Sequence, residues 1–350
     1  MAVILDHIIF SLQKSGGITH WWLHHTDLMA KEFADIEHTG LYANSNEFAQ
    51  RNQILATQKL SDKSPRFWPL RRVSCASKSG VFHSSYYRRP QRGSKLRTVV
   101  TFHDASAIRG GGLRARAKKM MVEACLEEAA IVHCISRHSS NELLELFPYL
   151  DPQKIKVIYH GLSPFDEFEP VQRIPQQWSA FVLWVGNRWG YKNGGLIFES
   201  LSALPNDLGI VLVGGEPLSA EEKSKIDKFK LQGRMIFESG ISKAKLGWLY
   251  NNAVALWYTS LNEGFGFPPL EAASQGCPVF GASGHSVEEV CGEWASLTKF
   301  PSSEWLVSET IRVLNKQKNL KLRDAGTIIA KKFSWDLYRE KMAQVYRDLI

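Results

Sequence analysis

Two carboxylates, Glu263 and Glu271, lie eight positions apart in the segment Asn262-Glu263-Gly264-Phe265-Gly266-Phe267-Pro268-Pro269-Leu270-Glu271-Ala272. A carboxylate that accepts two hydroxyl donors is a good receptor for a ribose or a pyranose. One such group on a loop and another on a helix can address two parts of one extended ligand. Gly264 and Gly266 let the backbone approach that ligand, and N–H groups at a strand-to-helix turn can hold anionic or hydroxyl oxygens. Pro268 and Pro269 fix the entry to the helix that carries Glu271. Two isolated glutamates at this spacing would read as a glycine turn and a helix whose N-terminal Glu favours the dipole. The surrounding EGFGFPPLEAASQGCPV is far more specific.

A second segment, Val185-Gly186-Asn187-Arg188-Trp189-Gly190-Tyr191-Lys192-Asn193, also lies between an apolar run and a helical pattern. Arg188 and Lys192 beside a glycine turn at a helix start would cradle a diphosphate, the fork from Arg and the point charge from Lys. Two surface cations on a loop are the alternative. In the N-terminal half, Gly16-Gly17 follows the first apolar run, and by itself is a weak signal that lacks the GxGxxG of a dinucleotide site. His103 ends the run Thr101-Phe102-His103-Asp104, where a cleft-facing ligand group would sit, although a lone His is more often structural. Asp104 would either orient that imidazole or cap the next turn. Ser136 reads as a helix cap and His133 as a core residue.

At these residues the sequence resembles the family 4 glycosyltransferases of the GT-B fold, whose signature is this E-x7-E segment. The resemblance is strongest over residues 180–292 and moderate over 97–162. It implies an α/β protein of two Rossmann-like, doubly wound parallel-sheet domains facing a central cleft. The donor, a nucleotide-diphosphate sugar, would be held mainly by the C-terminal domain, and transfer would retain anomeric configuration. By the resemblance Glu271 would bind the ribose hydroxyls, and Glu263 would sit beside the donor sugar with the amides of Phe265, Gly266 and Phe267 nearby. Arg188 and Lys192 would stabilise the departing nucleoside diphosphate, with Gly186 opening their loop. Lys192 is the firmer of the two, because Arg188 lies closer to it than in many members and Asn187 stands where Arg is often found. Gly16 and Gly17 would face the donor phosphates or the acceptor, and His103 would contact the donor sugar.

The expected reaction is transfer of a hexose to a hydroxyl of a glycan or a polyisoprenyl-diphosphate-linked oligosaccharide, as in bacterial O-antigen or capsule synthesis. No metal and no cofactor beyond the nucleotide sugar is expected, since no DxD-type cluster with acid-rich flanks is evident. The rival readings are another GT-B enzyme such as a sugar-nucleotide epimerase, or a non-catalytic sugar- or membrane-binding relative. A nicotinamide oxidoreductase fits the alternation but lacks a fingerprint after the first strand.

These groups need strands that end beside one another. Apolar runs that fit buried strands occur at residues 3–5, 99–102, 130–135 and 155–159, then at 181–185, 210–213, 235–237, 254–258 and 278–280. Helical patterns alternate with them, which predicts parallel sheets wrapped by helices. Residues 163–178 carry three prolines and little periodicity. The expected division is an acceptor-side domain over 1–165, a linker over 166–178 and a nucleotide-sugar domain over 179–334. A closing helix over 335–350 would pack back on the first domain. Residues 38–95 are the least readable.

Composition bounds the remainder. At 350 residues, 44% hydrophobic and 22% charged, the chain reads as globular and long enough for two cores. Five scattered cysteines without a CxxC pair argue for reduced thiols in a cytoplasmic setting. The first residues read as a buried strand and not a signal peptide. The net charge of +8 is concentrated in residues 71–120, where thirteen Lys or Arg, among them Arg88, Arg89, Arg92 and the 114–119 run, face one acid, Asp104. Such a stretch would meet an anionic surface at the inner face of the plasma membrane, or serve as a solvated basic face. Nucleic acid is not an expected partner, because no recognition motif accompanies the charge.

Overall fold

The computed structural model describes residues 2–13, 16–40, 72–314, 328–329 and 332–350. Lys14 and Ser15 of the glycine loop, Arg71 of the basic stretch and residues 41–71 of the unreadable segment lie outside the described residues. The chain divides into two compact units, Met1–Gly161 with Trp335–Ile350, and Leu162–Ser334.

In the first unit, β1 (Ala2–Asp6), β2 (Ile36–Thr39), β3 (Ser79–Ser84), β4 (Lys95–Phe102), β5 (Ala129–Cys134) and β6 (Ile155–Val157) form one sheet in the order β2-β1-β3-β4-β5-β6. Every pairing is parallel. The sequence AVILD of β1 is buried throughout, as a parallel strand covered on both faces requires. The helix Trp335–Arg347 packs against the helix Gly17–Glu32 in this unit and delivers Tyr338 and Tyr346 to its core. Trp335 at its start closes on Gly161, where a Cβ atom would come within 2.4 Å of the indole.

The strand order of this sheet reverses between β1 and β3, and a buried ion pair fills that position. Arg88 Nη1 lies 2.9 Å from Asp6 Oδ1, with 2% and 0% of the two side chains exposed. Ser84 Oγ donates to Asp6 Oδ2 at 2.6 Å. Burial raises the Asp6 carboxyl above its ordinary range, and Arg88 opposes that shift. Gly40, with φ +75°, passes so close that a side chain there would collide with Asp6 Oδ1.

This corrects the expectation that Arg88 meets a membrane. An arginine buried on a carboxylate cannot reach a headgroup. Other members of the basic stretch are also engaged: Arg72 and Arg89 pair with Glu128, and Arg109 with Glu145. Lys118 lies 3.8 Å over the Tyr86 ring, and burial lowers its ammonium to about 8. On the helix Leu113–Glu127, Arg114, Arg116 and Lys119 remain exposed.

In the second unit, β7 (Ala180–Val185), β8 (Leu208–Val213), β9 (Met235–Glu238), β10 (Leu256–Tyr258), β11 (Val279–Ala282) and β12 (Ala295–Thr298) run in the order β12-β11-β10-β7-β8-β9, again all parallel. The order reverses between β7 and β10, the place where open α/β sheets bind ligands at the carboxyl ends of strands. The proline-bearing stretch packs onto this unit. Trp178 covers Gly209, where a Cβ atom would lie 2.3 Å from the indole, and Phe165 meets Tyr250 edge-on at 5.8 Å.

Breaking a buried pair by removing one partner leaves an uncompensated charge, at a cost of about 3–5 kcal/mol. Arg88→Met should therefore lower the stability of the first unit by that order, read as a fall in the urea midpoint monitored in that unit.

Candidate functional site

The loops that leave β7 and β10 are bound to each other before either reaches a helix. Gly190–Lys192 forms one 3-10 turn, closed by Asn193 in the left-handed region at φ 59°. The Leu261 amide donates to the Tyr191 carbonyl at 2.8 Å, and the Thr259 hydroxyl lies 3.3 and 3.2 Å from the carbonyls of Lys192 and Asn193. The result is contact between their charged groups: Lys192 Nζ donates to Glu263 Oε1 at 2.5 Å, with 19% and 11% of the side chains exposed. The ammonium also lies 5.2 Å from the Tyr191 ring centroid and 5.4 Å from that of Tyr258. Burial, and then the nearby Glu263 carboxylate, push the Tyr258 phenol well up.

The Glu263 loop is braced from the chain after β11. Ser286 Oγ donates to the Glu263 carbonyl at 2.6 Å. His285 Nε2 donates to the Ser260 carbonyl at 2.9 Å, while its Nδ1 accepts from the Val287 amide at 3.4 Å. A carbonyl only accepts, so this imidazole carries its proton on Nε2. Gly266, at φ 94°, precedes the helix Phe267–Ser274, which has Pro268 in its first turn. Phe265 is buried against Phe267 at 5.0 Å and Phe333 at 6.0 Å. One turn into the helix, Glu271 Oε2 accepts from the Tyr250 hydroxyl at 2.9 Å. Burial raises the Glu271 carboxyl, with Tyr250 and Lys243 acting against the shift.

The two cations of the 185–193 segment part company. Arg188 is buried: its Nε donates to Glu222 Oε1 at 2.6 Å and its Nη2 to the Glu216 carbonyl at 2.7 Å. Glu222 in turn closes a capping box with Ser219 at the start of the helix Ala220–Lys228. The expected two-cation cradle is thus not what this loop forms. Lys192 alone reaches Glu263, and Arg188 fixes the loop from behind. Gly186 stands at the end of β7 with φ +113°, in open space.

In the first unit, His103 follows β4, buried and edge-on to Trp21 at 4.9 Å. Burial, then His133, lowers its imidazole to about 3, so it is neutral at physiological pH. Asp104 caps the next turn, its Oδ1 accepting from the Ser106 amide at 2.8 Å. Gly16 precedes the helix Gly17–Glu32, and a Cβ atom there would lie 2.8 Å from Gln13 Oε1. Among the described residues, no group of three or more His, Cys, Asp or Glu converges as metal ligands do. The five cysteines are buried free thiols.

Tyr250, Tyr258, Glu222, His285 and Ser286 escape a sequence reading. Tyr250, Glu222, His285 and Ser286 act from elements remote in the chain from the groups they support, and Tyr258, on the strand that leads into the Glu263 loop, carries no local signal that it faces Lys192. Replacing Arg188 by Ala strands Glu222 in the interior. The variant should lose about 3–5 kcal/mol in unfolding of the second unit, measured by denaturant titration.

The sequence pattern of the family described as glycosyl transferases group 1 matches residues 166–345, which include both loops and both glutamates. The chain is 24% identical over 320 residues to the O-antigen chain mannosyltransferase B of Escherichia coli, covering 86% of this chain and 82% of that protein. Its fold superposes on Anabaena Alr3699/HepE, a crystal structure in complex with UDP and glucose, with a TM-score of 0.74 at 16% identity, over 99% of each chain. It also superposes on WaaG, a glycosyltransferase involved in lipopolysaccharide biosynthesis, with a TM-score of 0.66 at 15% identity, over 99% of each chain. Two six-stranded parallel sheets of this kind are the GT-B fold, and the chain belongs to the glycosyl transferases group 1 family: it is a glycosyltransferase.

Proposed function

We propose that the protein is a retaining, family 4 transferase that moves a hexose from a nucleotide-diphosphate sugar to a hydroxyl of a glycan or polyisoprenyl-diphosphate-linked acceptor, in bacterial surface polysaccharide assembly. The observation that carries this reading is the Lys192–Glu263 pair at the strand-order reversal of the second unit. An ammonium there meets a diphosphate, and a carboxylate beside it meets sugar hydroxyls. Glu271, eight positions on, would accept from the ribose hydroxyls, with Tyr250 holding its other oxygen. The amides of residues 264–267 and Gly186 would line the donor. His103 and the Gly16-Gly17 turn are the contributions proposed for the first unit, toward donor sugar and phosphates or acceptor. The similar O-antigen chain mannosyltransferase B, and the fold neighbour crystallised with UDP and glucose, support the acceptor class and the donor class.

In the proposed reaction the acceptor hydroxyl attacks C1 from the face that the diphosphate leaves. The C1–oxygen bond to the diphosphate breaks as the new glycosidic bond forms, and a donor phosphate oxygen takes the hydroxyl proton. Lys192 offsets the charge that develops on the leaving group, so no divalent ion is required. Removing one such preorganised group costs about 10²–10³ in turnover. Glu263→Gln and Lys192→Ala should each lose activity by that order in a radiolabelled-donor assay, and wild-type activity should survive EDTA. Near-normal turnover of both variants would remove the site assignment.

The membrane part of the proposal rests on what the basic stretch leaves exposed. Leu113 and Met120, 83% and 69% exposed, share the helix Leu113–Glu127 with exposed Arg114, Arg116 and Lys119. Apolar anchors among cations suit the anionic cytoplasmic face of a bilayer. Among the described residues no helix is long and apolar enough to cross a membrane. Co-sedimentation with phosphatidylglycerol vesicles should fall with added salt and with Arg114→Glu/Arg116→Glu/Lys119→Glu, whereas salt-independent binding would contradict this role.

A further inference from the structure

Ten of the eleven histidines lie in the first unit, and six of them (His7, His25, His83, His103, His133 and His160) are buried there. Three are linked through hydroxyl groups into one line across the sheet face. Trp21 Nε1 donates to Tyr338 Oη at 2.9 Å, and that hydroxyl lies 2.9 Å from His25 Nδ1. His25 Nε2 is 2.9 Å from Tyr346 Oη, which is 2.5 Å from His83 Nδ1. His83 Nε2 is 2.7 Å from Thr101 Oγ1, which is 3.0 Å from His133 Nδ1. His133 Nε2 ends the line on the Ile158 carbonyl at 2.8 Å.

The two ends fix every proton between them. An indole N–H only donates and a carbonyl only accepts. His133 must therefore donate from Nε2 and accept at Nδ1, so Thr101 donates to it and accepts from His83 Nε2–H. His83 then accepts at Nδ1 from Tyr346, whose oxygen accepts from His25 Nε2–H. His25 accepts at Nδ1 from Tyr338, and the Tyr338 oxygen accepts from Trp21. One direction satisfies all seven links, and a second proton on any ring would make the neighbouring hydroxyl accept where it donates, leaving that hydroxyl's own proton without its place in the line.

We infer that His25, His83 and His133 are held as neutral Nε2–H imidazoles in this one-way chain, and that the chain is an acid-released latch fastening the helix Trp335–Arg347 to the sheet through Tyr338 and Tyr346. The titratable groups that face the three rings come from every packed element. They are His7 and the rings themselves on or beside the helix Gly17–Glu32 and strands β3 and β5, His103 after β4, His160 after β6, and the two phenols of the C-terminal helix. Burial is the largest effect on all three, followed by neighbouring histidines at His25 and His83 and by the Ile158 carbonyl at His133. Burial lowers all three imidazoles, His133 to about 4, whereas an unfolded histidine titrates near about 6.5. The released state therefore takes up protons that the latched state refuses. The stabilisation is complete above that unfolded value and declines as pH falls below it.

The test uses the full chain with 15N-labelled histidine. At pH 7.5 the ring nitrogen shifts of His25, His83 and His133 should report Nε2–H for all three, and Nδ1–H at any one would overturn the assignment. Hydrogen exchange, corrected for intrinsic rates, should then show residues 335–347 losing at least tenfold protection between pH 7.5 and 5.5 while β7 and β8 stay protected. Unchanged protection of that helix, or equal loss throughout the chain, would overturn the latch. Both readouts are independent of transferase activity.

Discussion

A parallel sheet whose strand order reverses leaves two neighbouring strands with loops that diverge to opposite faces, opening a crevice at their carboxyl ends that polar groups can bridge. In the second unit that bridge is an ammonium and a carboxylate, placed by an amide-to-carbonyl bond from Leu261 to Tyr191 and by the Thr259 hydroxyl. The rest of the site follows from this constraint. Gly266 turns the chain into its helix, Ser286 and His285 hold the loop's carbonyls, and Arg188 anchors the opposite loop on Glu222. In the first unit the same topological position is filled by Asp6 and Arg88, buried and hydrogen-bonded within the protein. One reversal is therefore sealed, and the other keeps its charged groups at the margin of solvent.

Much of this was legible in the sequence because it rests on local chemistry. Glycines and prolines around Glu263 and Glu271 describe a strand-to-helix turn without knowledge of the fold, and the apolar runs of β1, β4, β5 and β7 are continuous enough to be read as buried parallel strands. β2, β3 and β12 were not legible. IEHT and ASLT belong to edge strands that are only partly buried, and SGVFHS carries polar side chains, His83 and Ser84, whose partners Tyr346, Thr101 and Asp6 lie on other elements. The partners of the site groups were hidden for a different reason. Nothing near Glu271 in sequence announces Tyr250, and nothing near Arg188 announces Glu222. An arginine four positions before a lysine looks like a second surface cation until the helix that supplies its carboxylate is in place.

The two units solve the problem of buried polarity differently. The second neutralises charge with charge, as in Arg188–Glu222, or lends a phenol to a carboxylate, as in Tyr250–Glu271. The first, besides the buried carboxylates Asp6 on Arg88 and Glu142 on Arg109, uses neutral rings and hydroxyls that exchange donors and acceptors in sequence. Desolvation dominates in both. It raises Asp6 and Glu271 and lowers the histidines, and each pairing limits the penalty without abolishing it.

The Trp21–Tyr338 bond joins residues 317 positions apart. Where the chain leaves the first unit and returns to it, the Leu162 amide donates to the Phe333 carbonyl at 2.6 Å, so the outgoing and incoming segments run side by side. On a ribosome the first unit is the earlier to emerge, yet its core still lacks two tyrosines when the whole second unit has been made. The hydrogen bonds that His25, His83 and Trp21 make to those two tyrosine hydroxyls can form only after the helix Trp335–Arg347 has been synthesised.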